Sequence, residues 1–331
     1  MGDAAARPQV RLVEVEAAYA GQRLDNFLLR ELKGAPRSLI YRILRTGQVR
    51  VNKKRARPPQ RLYHGDRVRI PPLRLGTAAA TLPPGPALQQ RLRDSILFED
   101  DHLLALDKPA GLAVHGGSGV AAGLIGSLRA MNLGGDYLEL VHRLDRATSG
   151  CLLLAKHRRT LATLHQDLRS GQIQKSYQLL VAGPWPAAVT SVDAPLRKYR
   201  TASGEARVQV SEQGKPARTH FKVLEQFAAA TLLEAKLETG RTHQIRAHAQ
   251  HAGHPILGDT KYGDYHAGHH ADHADVSPQS LCQKLRLNRM FLHAHRLALR
   301  HPETGQPLQI EAPLPTPLTA ALTALRRPAL D

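Results

Sequence analysis

Residues Leu140 to Lys156 read LVHRLDRATSGCLLLAK. Two apolar stretches, Leu140-Val141 at the start and Cys151 to Ala155 at the end, flank a polar loop. Short apolar runs bounded by polar residues and glycine predict strands, so the segment reads as strand, loop, strand. Inside the loop one carboxylate, Asp145, stands between Arg143 and Arg146, with Thr148, Ser149 and Gly150 close behind. An acid carried on a loop whose ends are fixed in a sheet is a common way to present a catalytic group. The same spacing suits a structural aspartate tied to neighbouring hydroxyls and arginines, and spacing by itself leaves both readings open.

Further strand patterns occur on either side: Ile96 to Phe98, His102 to Leu106, Leu138 to Val141, Tyr177 to Val181, Val208 to Val210, Phe221 to Leu224, Thr231 to Leu237 and Leu292 to Leu299. A helix is expected over Thr160 to Arg169, where Leu161, Leu164 and Leu168 share a face and Gly171 follows the end. Strands outnumber helices and do not alternate regularly with them, which excludes a doubly wound fold. The expectation is an α+β protein whose main domain, residues 93–331, is a mixed, mainly antiparallel sheet decorated by helices.

The N-terminal part is different. Leu24, Phe27, Leu28 and Leu32 recur at helical spacing, as do Leu39, Ile40, Ile43 and Leu44, with Pro36 and Ser38 near the second start and Gly47 past its end. The second helix turns Arg37, Arg42 and Arg45 away from its apolar stripe. Val49 and Val51, a basic turn containing Lys53 and Lys54, and a closing Val68-Arg69-Ile70 strand follow. Residues 21–75 hold 15 lysines and arginines against three acids, a local excess of twelve in a chain whose formal net charge is +18. A charged stripe is usually a solvated helix face, but here almost no acids balance the bases. So basic a block attracts a polyanion, and Arg37, Arg42, Arg45, Lys53 and Lys54 are the candidate RNA contacts. From residue 76 to residue 92 the chain is rich in Pro, Ala and Gly without an apolar period, and a linker is expected there.

Two cysteines, Cys151 and Cys282, are too few and too far apart for a disulfide framework or a dedicated zinc cluster. With no signal core and no apolar run of about 18 residues, the expectation is a cytoplasmic protein with no membrane partner.

Several separate motifs, taken together, carry a resemblance. HRLDRATSG (His142 to Gly150), Lys108-Pro109-Ala110-Gly111, Val114 to Gly119, Gln174 to Tyr177, Thr239 to Arg246 and Leu292-His293-Ala294 occur in the order found in the ribosomal large-subunit pseudouridine synthase family. The chain is most similar to its synthase C subgroup, from whose usual pattern it departs at position 147, an alanine in place of aspartate. The N-terminal module resembles the small alpha-L, S4-like, RNA-binding domain. The resemblance implies an isomerase acting on 23S ribosomal RNA without metal or other cofactor, with Asp145 as the central catalytic residue and Arg241 pairing with it. It implies that Tyr177 packs on the target uracil and that Arg143 fills the space the flipped base leaves. Asp145 can act as a nucleophile or as the base that removes a sugar proton, and both routes stay open. Taken singly, Tyr177 also suits a core strand aromatic, Arg143 a phosphate clamp and Arg241 an anion contact at a helix start. A monomer is the default expectation.

A histidine-rich segment, Tyr265 to Pro278, holds His266, His269, His270 and His273 with Asp272 and Asp275. It reads as a polar insertion, and no metal role is assigned to it. Two other functions suit parts of the sequence. A noncatalytic RNA-binding or ribosome-assembly protein would need only the basic block, and a glycoside hydrolase would ordinarily need a pair of acids where the motif offers one.

Overall fold

The computed structural model describes residues 9–32, 35, 37–73, 83–116, 123–202, 204–263 and 277–327. The chain divides into two compact units, residues 1–82 and 83–331. Gly117 to Gly119, the histidine-rich positions 264–276 and the side chain of Arg37 lie outside the described residues.

The first unit runs β1 (Arg11–Glu14), α1 (Leu24–Glu31), α2 (Arg37–Arg45), β2 (Arg50–Val51), β3 (Lys54–Arg55) and β4 (Arg67–Ile70). The expected apolar stripes meet: Leu24, Phe27 and Leu28 of α1 and Ile40, Ile43 and Leu44 of α2 are buried in one core with Val49, Val51, Val68 and Ile70. Each such side chain contributes about 1.5–3 kcal/mol by leaving water, which is what lets two short helices persist. The sheet order is β1-β4-β2-β3, and β1 lies ahead of the expected start of the module at residue 21. Asn52 and Lys53, at φ 49° and 67°, make the two-residue turn between β2 and β3. Asn52 stabilises it by donating from Nδ2 to Asp66 Oδ1 and accepting the Arg67 backbone N–H.

The second unit opens with α3 (Pro86–Asp94), β5 (Ile96–Glu99), β6 (Leu103–Lys108), α4 (Gly123–Ala130), β7 (Glu139–Leu140), β8 (Ser149–Ala155), α5 (Arg158–Arg169) and β9 (Gln174–Ala182). It continues through β10 (Ser191–Asp193), β11 (Leu196–Arg200), β12 (Ala206–Val210), β13 (Arg218–Gln226), β14 (Ala230–Leu237), α6 (Gln244–His251), α7 (Pro278–Lys284), β15 (Leu292–Arg300), β16 (Pro307–Glu311) and α8 (Thr316–Arg326). Helix α3 corrects the linker expectation over residues 86–92, while residues 76–82 of that stretch lie outside the described residues. Its Gly85-Pro86 start is a helix N-cap and first turn, and Leu92 is fully buried in the core of this unit.

The main sheet has the order β10-β13-β14-β9-β15-β8-β6-β5, with β16 on β15 and β7 on β8. Its pairs are antiparallel except β15 with β8, where His293 lies opposite Ser149 and Ala294 opposite Gly150. A separate β11-β12 hairpin stands beside it. All seven residues of β8 are buried, because both faces of the sheet are covered. Leu152 and Leu154 join the core on one face, with Tyr177, Leu179, Val181, Leu233 and Ala235. Cys151, Leu153 and Ala155 point the other way, against Leu164 of α5 and Leu297 and Leu299 of β15. Successive side chains leave the strand on opposite faces, and because both faces are covered the sequence reads as one continuous apolar run. Among the described residues no helix is long and apolar enough to cross a membrane.

Candidate active site

The loop carrying Asp145 is fixed on every side. β7 and β8 pair antiparallel at its ends, Leu144 just before Asp145 enters the sheet core, and the Thr148 backbone N–H donates to the Asp145 carbonyl at 3.2 Å. Arg146 bonds to the Lys108–Gly111 segment in both directions: its Nε donates to the Gly111 carbonyl at 2.9 Å and its carbonyl accepts the Gly111 N–H at 2.8 Å. Lys108, fully buried, donates from Nζ to the carbonyls of Pro109 at 2.8 Å, Leu112 at 3.0 Å and Arg146 at 3.4 Å. Burial, reinforced by the charge of Arg289 and opposed by Asp145 and Asp107, brings its pKa down to about 7.

Gly150 permits the crossing of β8 and β15. At φ 109°, a Cβ there would lie 2.3 Å from the Ala294 carbonyl oxygen. Next to it, His293 Nδ1 lies 2.9 Å from Ser149 Oγ and its Nε2 lies 3.1 Å from the Ala312 carbonyl. Arg289 donates to the same Ser149 oxygen at 2.7 Å. The LHA motif thus supports the loop from below rather than contributing to its open face.

Asp145 retains a quarter of its side-chain exposure, enough to meet a ligand. Its ion-pair partner is Arg246, whose Nη1 donates to Asp145 Oδ2 at 3.1 Å. This corrects the expectation for Arg241. The Arg241 side chain is exposed and its Nε donates to the Pro216 carbonyl at 3.1 Å. The reason is helical geometry: α6 starts at Gln244, so Arg246 lies within its first turn, with Ile245 anchored in the core, whereas Arg241 lies before the helix.

Arg246 is positioned from behind by Asp259, which is wholly buried and receives Nε at 2.7 Å and Nη2 at 2.8 Å. Burial alone would lower the Arg246 pKa, but the bonds to Asp259 and the charge of Asp145 outweigh it and the pKa is raised. Asp259 also accepts the backbone N–H groups of Lys261 and Tyr262. His243, in the left-handed conformation at φ 53° before α6, brings Nε2 to 3.7 Å from Asp145 Oδ2. The fork geometry of a guanidinium lets one arginine hold both carboxylates at once.

Tyr177 comes from β9 with its side chain in the same core face, 7% exposed. Burial, then the charge of Asp145, raises its pKa, so the phenol stays protonated at neutral pH. It can pack and donate a hydrogen bond; it is not a ready phenolate base. Arg143 is exposed on the Asp145 loop, and its side chain has no hydrogen-bond or ion-pair partner among the described residues. In the first unit Arg42, Arg45, Lys53 and Lys54 are all exposed. Among the described residues no group of three His, Cys, Asp or Glu is arranged to hold a metal ion.

Arg246, His243, Asp259 and Tyr262 escaped the sequence reading. The first two lie inside the quoted Thr239 to Arg246 run and could have been found by asking which arginine follows the helix start. Asp259 has no local signal, because only folding brings it to α6.

A family model described as RNA pseudouridylate synthase matches residues 102–251, and an S4 domain model matches residues 22–68. The chain is 51% identical to ribosomal large subunit pseudouridine synthase C of Escherichia coli (strain K12) over 321 residues, 96% of this chain and 98% of that protein. It is 48% identical to the protein of the same name from Pasteurella multocida (strain Pm70), over 96% of this chain and 94% of the other. Of solved structures, Human RNA Pseudouridylate Synthase Domain Containing 4 aligns with a TM-score of 0.57 at 29% identity, covering 72% of this chain and 96% of that one.

Proposed function

This chain belongs to the RNA pseudouridylate synthase family, and from that premise we propose that it isomerises specific uridines of large-subunit (23S) ribosomal RNA, with Asp145 as the reacting carboxylate. The observation that carries the assignment is the Asp145–Arg246–Asp259 chain: a carboxyl group, partly open, held by a buried guanidinium that is itself fixed. Pseudouridine formation breaks the ribose C1′ to uracil N1 bond, turns the base and joins C1′ to C5. The C5 proton leaves and N1 gains one, so product and substrate are isomers. Asp145 serves as nucleophile or as the base for a sugar proton, and in either route the bond from Arg246 to Oδ2 fixes its orientation.

The target base must leave its stack to reach a partly sheltered acid. Exposed Arg143, beside Asp145, suits the role of filling the vacated space. Tyr177 offers a ring to pack on uracil, with its hydroxyl protonated. The first unit supplies phosphate contacts through Arg42, Arg45, Lys53 and Lys54, and by sequence Arg37 belongs with them. The exposed Arg241 fits RNA contact better than pairing with Asp145. No step exchanges electrons or needs an activated donor, so the reaction is cofactor-free, carried out by a monomer in the cytoplasm.

Release of tritium from C5-labelled uridine measures the chemistry. Asp145→Asn and Asp145→Ala should abolish release while RNA affinity stays nearly unchanged. Near-normal release by folded Asp145→Ala would defeat the assignment, as would loss of wild-type turnover in excess chelator on a short RNA whose fold is verified. Mapping pseudouridines in 23S rRNA from cells with and without the gene identifies the target uridines.

A further inference from the structure

Tyr262 is 2% exposed and no motif assigned to the reaction includes it. Its hydroxyl accepts the Val208 backbone N–H at 2.9 Å and lies 2.9 Å from His243 Nδ1. A phenol has one proton to donate. With Val208 already donating to the oxygen, the arrangement that satisfies every group has the Tyr262 O–H donating to Nδ1. The opposite tautomer would aim a second N–H at that oxygen and leave a buried O–H without an acceptor. Nδ1 is therefore bare, and the imidazole proton is on Nε2.

Nε2 lies 3.7 Å from Asp145 Oδ2, the same oxygen that Arg246 approaches at 3.1 Å. The imidazole is held edge-on against the Tyr262 ring, with centroids 5.5 Å apart and planes at 80°. Tyr262 itself is held at its backbone N–H by Asp259 and on one ring face by Arg246, 4.9 Å from the centroid. Arg207, which precedes Val208 in β12, donates to the Lys261 carbonyl at 2.8 Å, so the hairpin and the Tyr262 segment are joined at consecutive residues.

We propose that Tyr262 and His243 form a tautomer lock: the phenol fixes the imidazole proton on Nε2 and so points that N–H, at 3.7 Å, toward the Asp145 Oδ2 that Arg246 already holds, leaving Oδ1 for the reaction. His243 and Tyr262 are positioning residues, and their role rests on Asp145 being the reacting carboxylate. Burial lowers the His243 pKa, against the charge of Asp145 and with those of Arg246 and Lys261, which keeps the ring neutral as the lock requires. A neutral donor orients the carboxylate without competing for its charge, whereas an imidazolium would form a tighter pair and make the acid a poorer nucleophile or base.

The test uses the full chain labelled with 15N-histidine. Two-bond proton–nitrogen correlations report which ring nitrogen carries the proton, and His243→Asn identifies the His243 signals. Asparagine tolerates the left-handed conformation, so this variant keeps the helix start while shortening the reach. The wild type should show a neutral Nε2–H ring. Tyr262→Phe should mix the two tautomers and lower kcat about tenfold, the effect of one lost hydrogen bond, with KM for RNA unchanged. A wild-type His243 ring protonated on Nδ1 overturns the proposal even if Tyr262→Phe does not fold. So does wild-type kcat in folded Tyr262→Phe. Turnover by Asp145→Asn would remove the carboxylate reading and the purpose of the lock, while the tautomer itself would stand or fall on the spectrum.

Discussion

Replacing Arg246 by Met tests which arginine of the Gly240 to Arg246 run is built into the site. The Arg246 side chain is 5% exposed and that of Asp259 is wholly buried, and two of the three charged bonds of the guanidinium go to Asp259, at 2.7 and 2.8 Å. Methionine roughly keeps the apolar bulk but leaves the Asp259 charge with only the backbone N–H groups of Lys261 and Tyr262. Breaking a buried pair from one side costs about 3–5 kcal/mol. In a unit of this size each kcal/mol moves Tm by about 2–4 °C, so the melting temperature should fall by about 6–20 °C. Arg241→Met loses one exposed bond to the Pro216 carbonyl and should stay within about 2 °C of wild type. Adding Asp259→Leu to Arg246→Met should restore at least half of the lost stability, because removing both charges is far cheaper than removing one. Turnover should remain low in the double variant, since Asp145 has lost its countercharge. Calorimetry of the four proteins decides the matter: an Arg246→Met protein that melts with wild type, or an Arg241→Met protein that melts as low as Arg246→Met, refutes the reasoning.

Three other outcomes follow from the same packing. Gly150→Ala places a Cβ 2.3 Å from the Ala294 carbonyl oxygen at φ 109°, so it should destabilise the second unit by about 3 kcal/mol or more and disorder the Asp145 loop; a variant melting within 2 °C of wild type would contradict the close crossing. Burial, aided by His295 and Arg289 and opposed by the bond to Ala312, lowers the His293 pKa to about 4. The unfolded chain takes up this proton near pH 6.5, so the contribution is complete above that pH. About 3 kcal/mol should be lost as the pH falls from 6.5 to 4. Urea unfolding against pH should show a flatter slope in His293→Gln, and an unchanged slope would exclude His293 as its source. Deleting residues 1–82 should leave the second unit folded, weaken RNA binding and reduce its salt dependence, with slow turnover persisting at high enzyme concentration; an unchanged salt slope would show that the first unit holds no phosphates.

What was legible in the sequence was whatever depends on nearest neighbours along the chain. Short apolar runs such as Cys151 to Ala155 are strands because the sheet is covered on both faces and buries every residue, and Leu24, Phe27 and Leu28 are a helix face because 3.6 residues make a turn. Asp145 was legible because loop, acid and flanking strands are contiguous. Residues 86–92 read as linker because the residues that start this helix, Gly85 and Pro86, also occur in linkers, and only the burial of Leu92 distinguishes the two. The partners of Asp145 were beyond local reading. Arg241 and Arg246 share one short motif, and the choice between them depends on where α6 begins and which side of it faces the loop at 145, about a hundred residues earlier. Asp259, Tyr262 and Val208 are charged, aromatic and apolar residues of no local distinction. They become a support for the site because folding removes water from around them: a buried guanidinium then needs a second carboxylate, and a buried phenol needs a place for its single proton.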